Sequence, residues 1–340
     1  DFIHGDTMVD DEAGQDSSGQ AFHGTMTLGC VAGSKPGTYS GGAFGATVAL
    51  GKTEWVPTET PVEMDYWQFG AEWADSLGAD VISSSLGYST FDPGYPSYTP
   101  ADMDGRTTVV ALAAIEAARR GITVVNSAGN SGNDPTWLKI ISPADADSIV
   151  AVGAVDSTNV VTAFSSRGPT ADGRIKPDVT AMGKGVLVPS FTAATGYLRE
   201  SGTSFSAPLT SGVVALLLEA HPTWGPFEVR EALRETALNH ATPDTVIGWG
   251  LVQGLAAKAW IPTGVDAPRP PRRARRGCRS TCWIWRDVSK PVSTKASLRA
   301  PARYGGADAI GPAGCCRRGS TGCVWSRPNR KPDRARCASR

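Results

Sequence analysis

Short, nearly unbroken apolar runs alternate with stretches of helical period along this chain, and that alternation limits the folds open to it. The run ATVAL (46–50) is flanked by glycine. Residues 62–77 then place Met64, Trp67, Ala71, Ala74 and Leu77 at helical spacing, and Gly78 stops the helix. ADVISSSLG (79–87) reads as a strand, 109–120 as a helix ended by Gly121, and ITVVNSAGN (122–130) as the next strand with its exit loop. SIVAVGAV (148–155) is a further buried strand. Strands apolar on both faces pair in parallel under helices on both sides. The expected fold is therefore α/β, a three-layer sandwich about a mostly parallel central sheet. In such sheets the loops leaving the carboxyl ends of the strands carry the chemistry. Further on, 206–221 reads as a buried apolar helix ended by Pro222, and another begins at Gly225-Pro226 with Glu228 near its positive end. Residues 1–22 hold six acidic residues and no periodicity, and read as a loop.

The formal net charge of +0 hides a break. Residues 1–263 carry 14 Lys+Arg against 29 Asp+Glu, whereas 264–340 carry 19 against 4, with six of the seven cysteines. A boundary falls near Pro262, giving a domain over 1–262 and a basic, Cys/Arg-rich segment over 263–340. The acidic first part argues against nucleic-acid binding, which needs positive charge along the phosphates. No apolar run reaches the roughly 20 residues that cross a bilayer. A single thiol there, Cys30, suits either redox environment.

Three segments can carry chemistry. His23, in His23-Gly24-Thr25, stands at the mouth of a small apolar helix and is a candidate acid–base group; a structural hydrogen bond at a helix start is the competing role. Ser204, in Gly202-Thr203-Ser204-Phe205-Ser206-Ala207-Pro208, stands where a helix entry favours a developing oxyanion; simple N-capping is the competing role. Asn130, after Ala128-Gly129, can offer a side-chain amide to an oxyanion, or belong to an ordinary turn.

Taken together, His23-Gly24-Thr25, Ser85-Leu86-Gly87, Ala128-Gly129-Asn130, Ser165-Ser166-Arg167-Gly168-Pro169 and Gly202-to-Pro208 follow one another on alternating helices and strands. This series, closed by GWGLVQGLAA, resembles the subtilase family over residues 1 to about 260. The resemblance implies a serine endopeptidase working through an acyl-enzyme. It implies Ser204 as nucleophile, His23 as general base, and Asn130 with the Ser204 N–H as oxyanion donors. Ser85, Leu86 and Gly87 would pair with an extended substrate; Ala128 and Gly129 would line the pocket for the residue before the cut. It further implies protein or peptide substrates, a monomer, no nucleic-acid or membrane partner, no catalytic cofactor, and secretion from a bacterium. Structural calcium is an option at the acidic residues 6–16, although no spaced ligand loop is present and a solvated loop accounts for them better.

A Ser–His pair needs a carboxylate to orient the imidazole. The family's acid ends an apolar strand and precedes Ser/Thr-Gly. No such run precedes His23, and DFIHGD resembles the stretch after that strand. The expectation is a catalytic domain lacking its first strand or strands and a very poor protease, since loss of the subtilisin Asp alone costs about 3 × 10⁴ in kcat, the reference value for that family. Asp10 or Asp16 is the fallback acid. The competing function is an inactive subtilase-like fragment that binds extended peptides. For 263–340, rich in Arg, Cys, Trp, Pro and Gly and without Glu, the expectation is GC-rich DNA read out of frame or a disordered basic tail. A basic nucleic-acid-binding tail is the weakest reading, because the arginines have no periodic apolar partner.

Overall fold

The computed structural model describes residues 1–193 and 195–262, and the backbone of 281–285. Helix α1 (Phe22–Ala32) is followed by a small antiparallel ribbon, β1 (Ser34–Lys35) and β2 (Tyr39–Ser40). Then come β3 (Thr47–Gly51), α2 (Val62–Leu77), β4 (Val81–Ser84), α3 (Val109–Arg119), β5 (Thr123–Ser127), β6 (Val150–Val155) and β7 (Val179–Met182). The hairpin β8 (Val186–Pro189) and β9 (Tyr197–Glu200) leads into α4 (Thr203–Ala220), α5 (Pro226–Glu235) and α6 (Gly254–Ala259); β10 is Thr281–Trp285. The main sheet runs β3-β10-β4-β5-β6-β7, every pair parallel. The α/β sandwich expected from the apolar runs is the observed fold.

Successive residues of a strand face opposite sides of the sheet, and each side here has its own helices. Val81, Val125 and Val152 pack with Leu28 and Val31 of α1 and with Val214, Leu217 and Leu218 of α4. Ile82 and Val124 pack on the other side with Met64, Trp67 and Ala71 of α2 and Val110 and Ala114 of α3. Polar strand residues follow the same alternation. Ser83 meets the Ser211 hydroxyl of α4 at 2.8 Å, while Ser84 accepts from Trp67 Nε1 of α2 at 3.1 Å. Each fully enclosed Val, Ile or Leu contributes on the order of 1.5–3 kcal/mol. Helix α2 ends as its glycine predicts, Gly78 taking φ 82° and donating to the Ala74 and Asp75 carbonyls. Helix α4 has the length and hydropathy to cross a bilayer, but most of it is buried in this fold against the sheet and α1.

Two expectations change. Residues 1–21 are a loop, with α1 starting at Phe22, but not simply a solvated one. The side chains of Asp1 and Asp16 are fully enclosed, each 2.8 Å from the ammonium of Lys52, which directly follows β3. A long-range ion triad of this kind leaves no periodic trace in sequence. Similarly, 263–340 shows no strand pattern, yet Thr281–Trp285 pairs with β3 from Thr281↔Thr47 to Trp285↔Gly51 and with β4 from Cys282↔Val81 to Ile284↔Ser83. Val81 and Ile82 are fully buried, so β4 needs backbone partners on that side, and a pairing partner can decide a strand more than its own pattern does. The remainder of 263–340, with the out-of-frame and disordered-tail readings, lies outside the described residues.

A buried charge cluster ties the far end of the sheet to α5. Asp178 accepts from Lys176 Nζ at 2.6 Å, the Ala151 N–H at 2.7 Å and Arg234 Nε at 2.9 Å. Burial alone would raise this carboxyl, but Lys176 and Arg234 outweigh it and hold it far below the usual carboxylate range. Such a depressed carboxyl stabilises the fold above the unfolded-state value near 3.9, and the contribution is lost as pH falls below it. Asp178→Ala strands Lys176 in the interior and is expected to cost about 3–5 kcal/mol in denaturant unfolding at pH 7, with the difference from wild type shrinking below about pH 4.

Candidate active site

Strands β4 and β5 deliver their exit loops to one edge of the sheet, where the start of α4 also arrives. Helix α4 begins at Thr203, three residues earlier than its apolar run suggests, so Ser204 lies in its first turn and Gly202 takes the N-cap position. The Ser204 hydroxyl therefore does not cap the helix; it donates to the Ser85 carbonyl at 3.4 Å. Four residues on, Pro208 sits inside α4 and has no N–H to give the Ser204 carbonyl. The Ser85 hydroxyl donates to that carbonyl instead, at 2.7 Å. The proline thus frees the group that ties Ser204 to the end of β4.

Asn130 leaves β5 through Gly129, whose φ of +105° suits glycine. Its Oδ1 accepts from the Thr203 N–H at 2.9 Å and the Thr203 hydroxyl at 3.0 Å. The Thr203 hydroxyl in turn accepts from the Gly129 N–H at 3.2 Å. With Oδ1 doubly held, the Nδ2 hydrogens of the exposed Asn130 are left for a ligand. Ser166 supports the same turn: its N–H donates to the Gly129 carbonyl at 3.0 Å and its hydroxyl accepts from the Ser131 N–H at 2.9 Å. Thr203 and Ser166 have positioning roles that sequence reasoning did not single out, although both fall inside the quoted motifs.

His23 occupies the second position of α1, partly buried, with its ring centroid 6.3 Å from that of Phe205. The helix start is held from outside, because the Asp11 carboxylate accepts from the Gly19 N–H at 3.0 Å and the Ala21 N–H at 2.9 Å. Among the described residues no carboxylate or hydroxyl hydrogen-bonds the imidazole. The fallback acids are engaged elsewhere: Asp16 pairs with Lys52, and Asp10 accepts from the Asp11 N–H. Burial lowers the His23 pKa below the ordinary value of 6.5. The ring is therefore neutral at pH 7, the form a general base requires. An NMR titration of the C2 proton is expected to give a His23 midpoint below 6.5.

The remaining candidates are placed as follows. Ser85, Leu86 and Gly87 continue β4 and are partly exposed, with the Leu86 carbonyl accepting from Asn126 Nδ2 at 2.9 Å. Ala128 is fully enclosed with Ile140, Ala144 and Ala151, and both its backbone groups are taken, by the Val152 carbonyl and the Ile141 N–H. Its assignment to the pocket wall is corrected to a supporting position, because no surface of it faces the cleft. Beyond Gly87, Tyr88 donates to Glu54 Oε1 at 2.6 Å, and burial above all pushes the Glu54 pKa up to about 8. In the acidic loop, carboxylates of Asp1, Asp6 and Glu12 come within 4.8 Å of one another. The Gln15 amide already bridges Asp6 and Glu12 at 2.9 Å each, so the set is satisfied within the chain.

The geometry defines a serine-centred site on the carboxyl edge of a parallel sheet, and comparison with known proteins assigns the family. Residues 4–250 match the family model described as the subtilase family. The chain belongs to the subtilase family. Subtilisin DY from Bacillus licheniformis is 37% identical over 170 residues, which is 50% of this chain and 54% of that protein. Subtilisin E from Bacillus subtilis (strain 168) is 34% identical over 188 residues, 55% of this chain and 43% of that protein. The chain thus spans about half the length of these relatives. Among solved structures, the self-cleaved protease domain of PatA superposes with a TM-score of 0.55 at 26% identity, covering 70% of this chain and 82% of that one. The prenylagaramide maturation protease PagA gives 0.54 at 24%, covering 76% and 87%, a likeness of fold.

Proposed function

We propose that this chain is a serine endopeptidase that hydrolyses peptide bonds of proteins through an acyl-enzyme. The observation that carries the reading is the hydrogen-bonded assembly of Ser204, Asn130, Thr203 and Ser85 at the carboxyl edge of a subtilase sheet. Ser204 Oγ attacks the scissile carbonyl while neutral His23 takes its proton. The negative charge on the carbonyl oxygen falls to Asn130 Nδ2 and the Ser204 N–H. His23 then gives its proton to the leaving amine, and water, activated by the same ring, releases the acyl group. Ser85, Leu86 and Gly87 hold the substrate as an added strand. The kinship with bacterial subtilisins supports a secreted, monomeric enzyme with protein or peptide substrates and no catalytic cofactor.

Among the described residues no carboxylate partners His23, and this arrangement limits the rate. Without an orienting carboxylate the imidazole holds its tautomer poorly, and kcat falls by about 3 × 10⁴ from a complete triad, by the reference value for subtilisin. That same feature, together with a Ser204 hydroxyl directed to Ser85 rather than His23, favours a second reading: a peptide-binding subtilase domain without turnover. A fluorophosphonate probe separates the two, since only an activated Ser204 reacts; labelling that disappears in Ser204→Ala supports the protease, and absence of labelling in the wild type supports the binder.

Thr203→Val removes the hydroxyl that holds Asn130 Oδ1. It is expected to lower kcat about 10-fold with KM little changed, the size of one positioning hydrogen bond, and Thr203→Ser should restore the rate. Equal losses in kcat and in binding would refute a positioning role.

A further inference from the structure

The loop that follows β3 is tied to the exit of β4 through a carboxyl group, Glu54. Its Oε1 accepts from the Tyr88 hydroxyl at 2.6 Å and from the Thr53 hydroxyl at 2.8 Å. Tyr88 directly follows Gly87 and is fully enclosed, and its backbone exchanges two hydrogen bonds with Ser142, at 2.7 and 3.3 Å. Its hydroxyl is therefore a fixed point. The charged groups that act on Glu54 are themselves carboxylates, Glu63 and Glu59. Glu63, enclosed in the first turn of α2, accepts from the Trp55 N–H at 3.1 Å and the Thr60 N–H at 3.3 Å. Glu59, on the loop, donates its N–H to the Asp92 carboxylate at 3.1 Å. Ahead of α1 the loop meets a neutral amide, Gln20, which accepts from the Val56 N–H at 3.1 Å and donates to the Glu54 carbonyl. Two basic groups stand close in the chain or in space, and both face elsewhere. Lys52 is paired with Asp1 and Asp16, and His4, whose ring lies 5.6 Å from that of Trp55, bonds the Asp1 carboxylate at 3.1 Å.

We propose that Glu54 is a proton-dependent latch: with its proton it closes the loop 53–60 onto Tyr88, and on losing the proton it releases the loop from the β4 exit. The inference is independent of the peptidase reading. A negative charge on Glu54 is disfavoured by burial first and by Glu63 and Glu59 next, and the bonds from Tyr88 and Thr53 offset this only in part. The Glu54 pKa is raised to about 8, and that of Glu63, chiefly by burial, to about 7, so Glu63 is charged before Glu54 as pH rises. Opening wets Glu54 and returns it toward the ordinary value of 4.5. The closed loop thus holds a proton that the open loop gives up. Closure is favoured at low pH and is lost as pH rises through about 8. The latch acts on the strand exit whose Ser85 hydroxyl holds the Ser204 carbonyl.

Hydrogen exchange of the full-length chain, read by mass spectrometry and corrected for the intrinsic effect of pH, measures the opening. For the segment 53–60 the opening constant is expected to rise about 5-fold from pH 7 to pH 8, the release of one proton by a group half-titrated at the upper end. Glu54→Gln keeps an acceptor for Tyr88 and carries no proton to lose, so it should hold the change within about 2-fold. Tyr88→Phe removes the donor but not the carboxyl; protection should fall at both pH values while the rise remains. Near-UV circular dichroism unchanged from wild type shows that each variant keeps its fold. Equal pH responses in wild type and Glu54→Gln, or tighter closure at pH 8 than at pH 7, would overturn the proposal.

Discussion

A parallel sheet buried on both faces fixes almost everything else in this protein. Its backbone groups must be paired, so its strands lie side by side with one polarity, and their carboxyl ends emerge together. Ser85 emerges from β4 and Asn130 from β5 on that edge, and α4 enters the same edge at Thr203. The site is thus a consequence of strand polarity before any catalytic side chain is considered. Burial on both faces also explains why the strands read as largely apolar runs; in β4 the polar residues Ser83 and Ser84 are each bonded to a helix on their own side.

Backbone economy at the start of α4 shapes the site further. Pro208 withholds one N–H from the helix, the Ser204 carbonyl is left open, and the Ser85 hydroxyl fills it. Thr203 uses one hydroxyl twice, accepting from the Gly129 N–H and donating to Asn130 Oδ1. These bonds join three segments, around residues 85, 130 and 204, into one rigid unit. His23 belongs to a different unit, α1, whose start is held by Asp11 and whose imidazole lies 6.3 Å, centroid to centroid, from the Phe205 ring. Ser204 and Asn130 are therefore held in one hydrogen-bonded unit and His23 in another.

Much of this was legible in the sequence. The apolar runs placed β3, β4, β5 and β6 and helices α2 and α3, because a strand buried on both faces and an amphipathic helix each leave a periodic signature. The order of His23, Ser85–Gly87, Asn130 and Ser204 pointed to the family. Thr203 and Pro208 were readable too, since both follow from spacing to Ser204, but their roles require knowing which carbonyl and which amide lack partners. The place of Ile141 was not readable: its N–H bonds the Ala128 carbonyl, and the next residue, Ser142, pairs with Tyr88. The same holds for Lys52 between Asp1 and Asp16, and for Thr281–Trp285 beside β4.

The sequence by itself determined the class of fold, the edge on which the candidate site lies and the residues that carry the family motifs. These are local properties: periodicity, glycine at strand exits, a small-residue helix entry. The tertiary structure alone decided the partners of Asn130 and Ser204 and the burial of Asp1 and Asp16 in the acidic loop. Those depend on which distant backbone groups find each other once water is excluded, and distance along the chain carries no record of that choice.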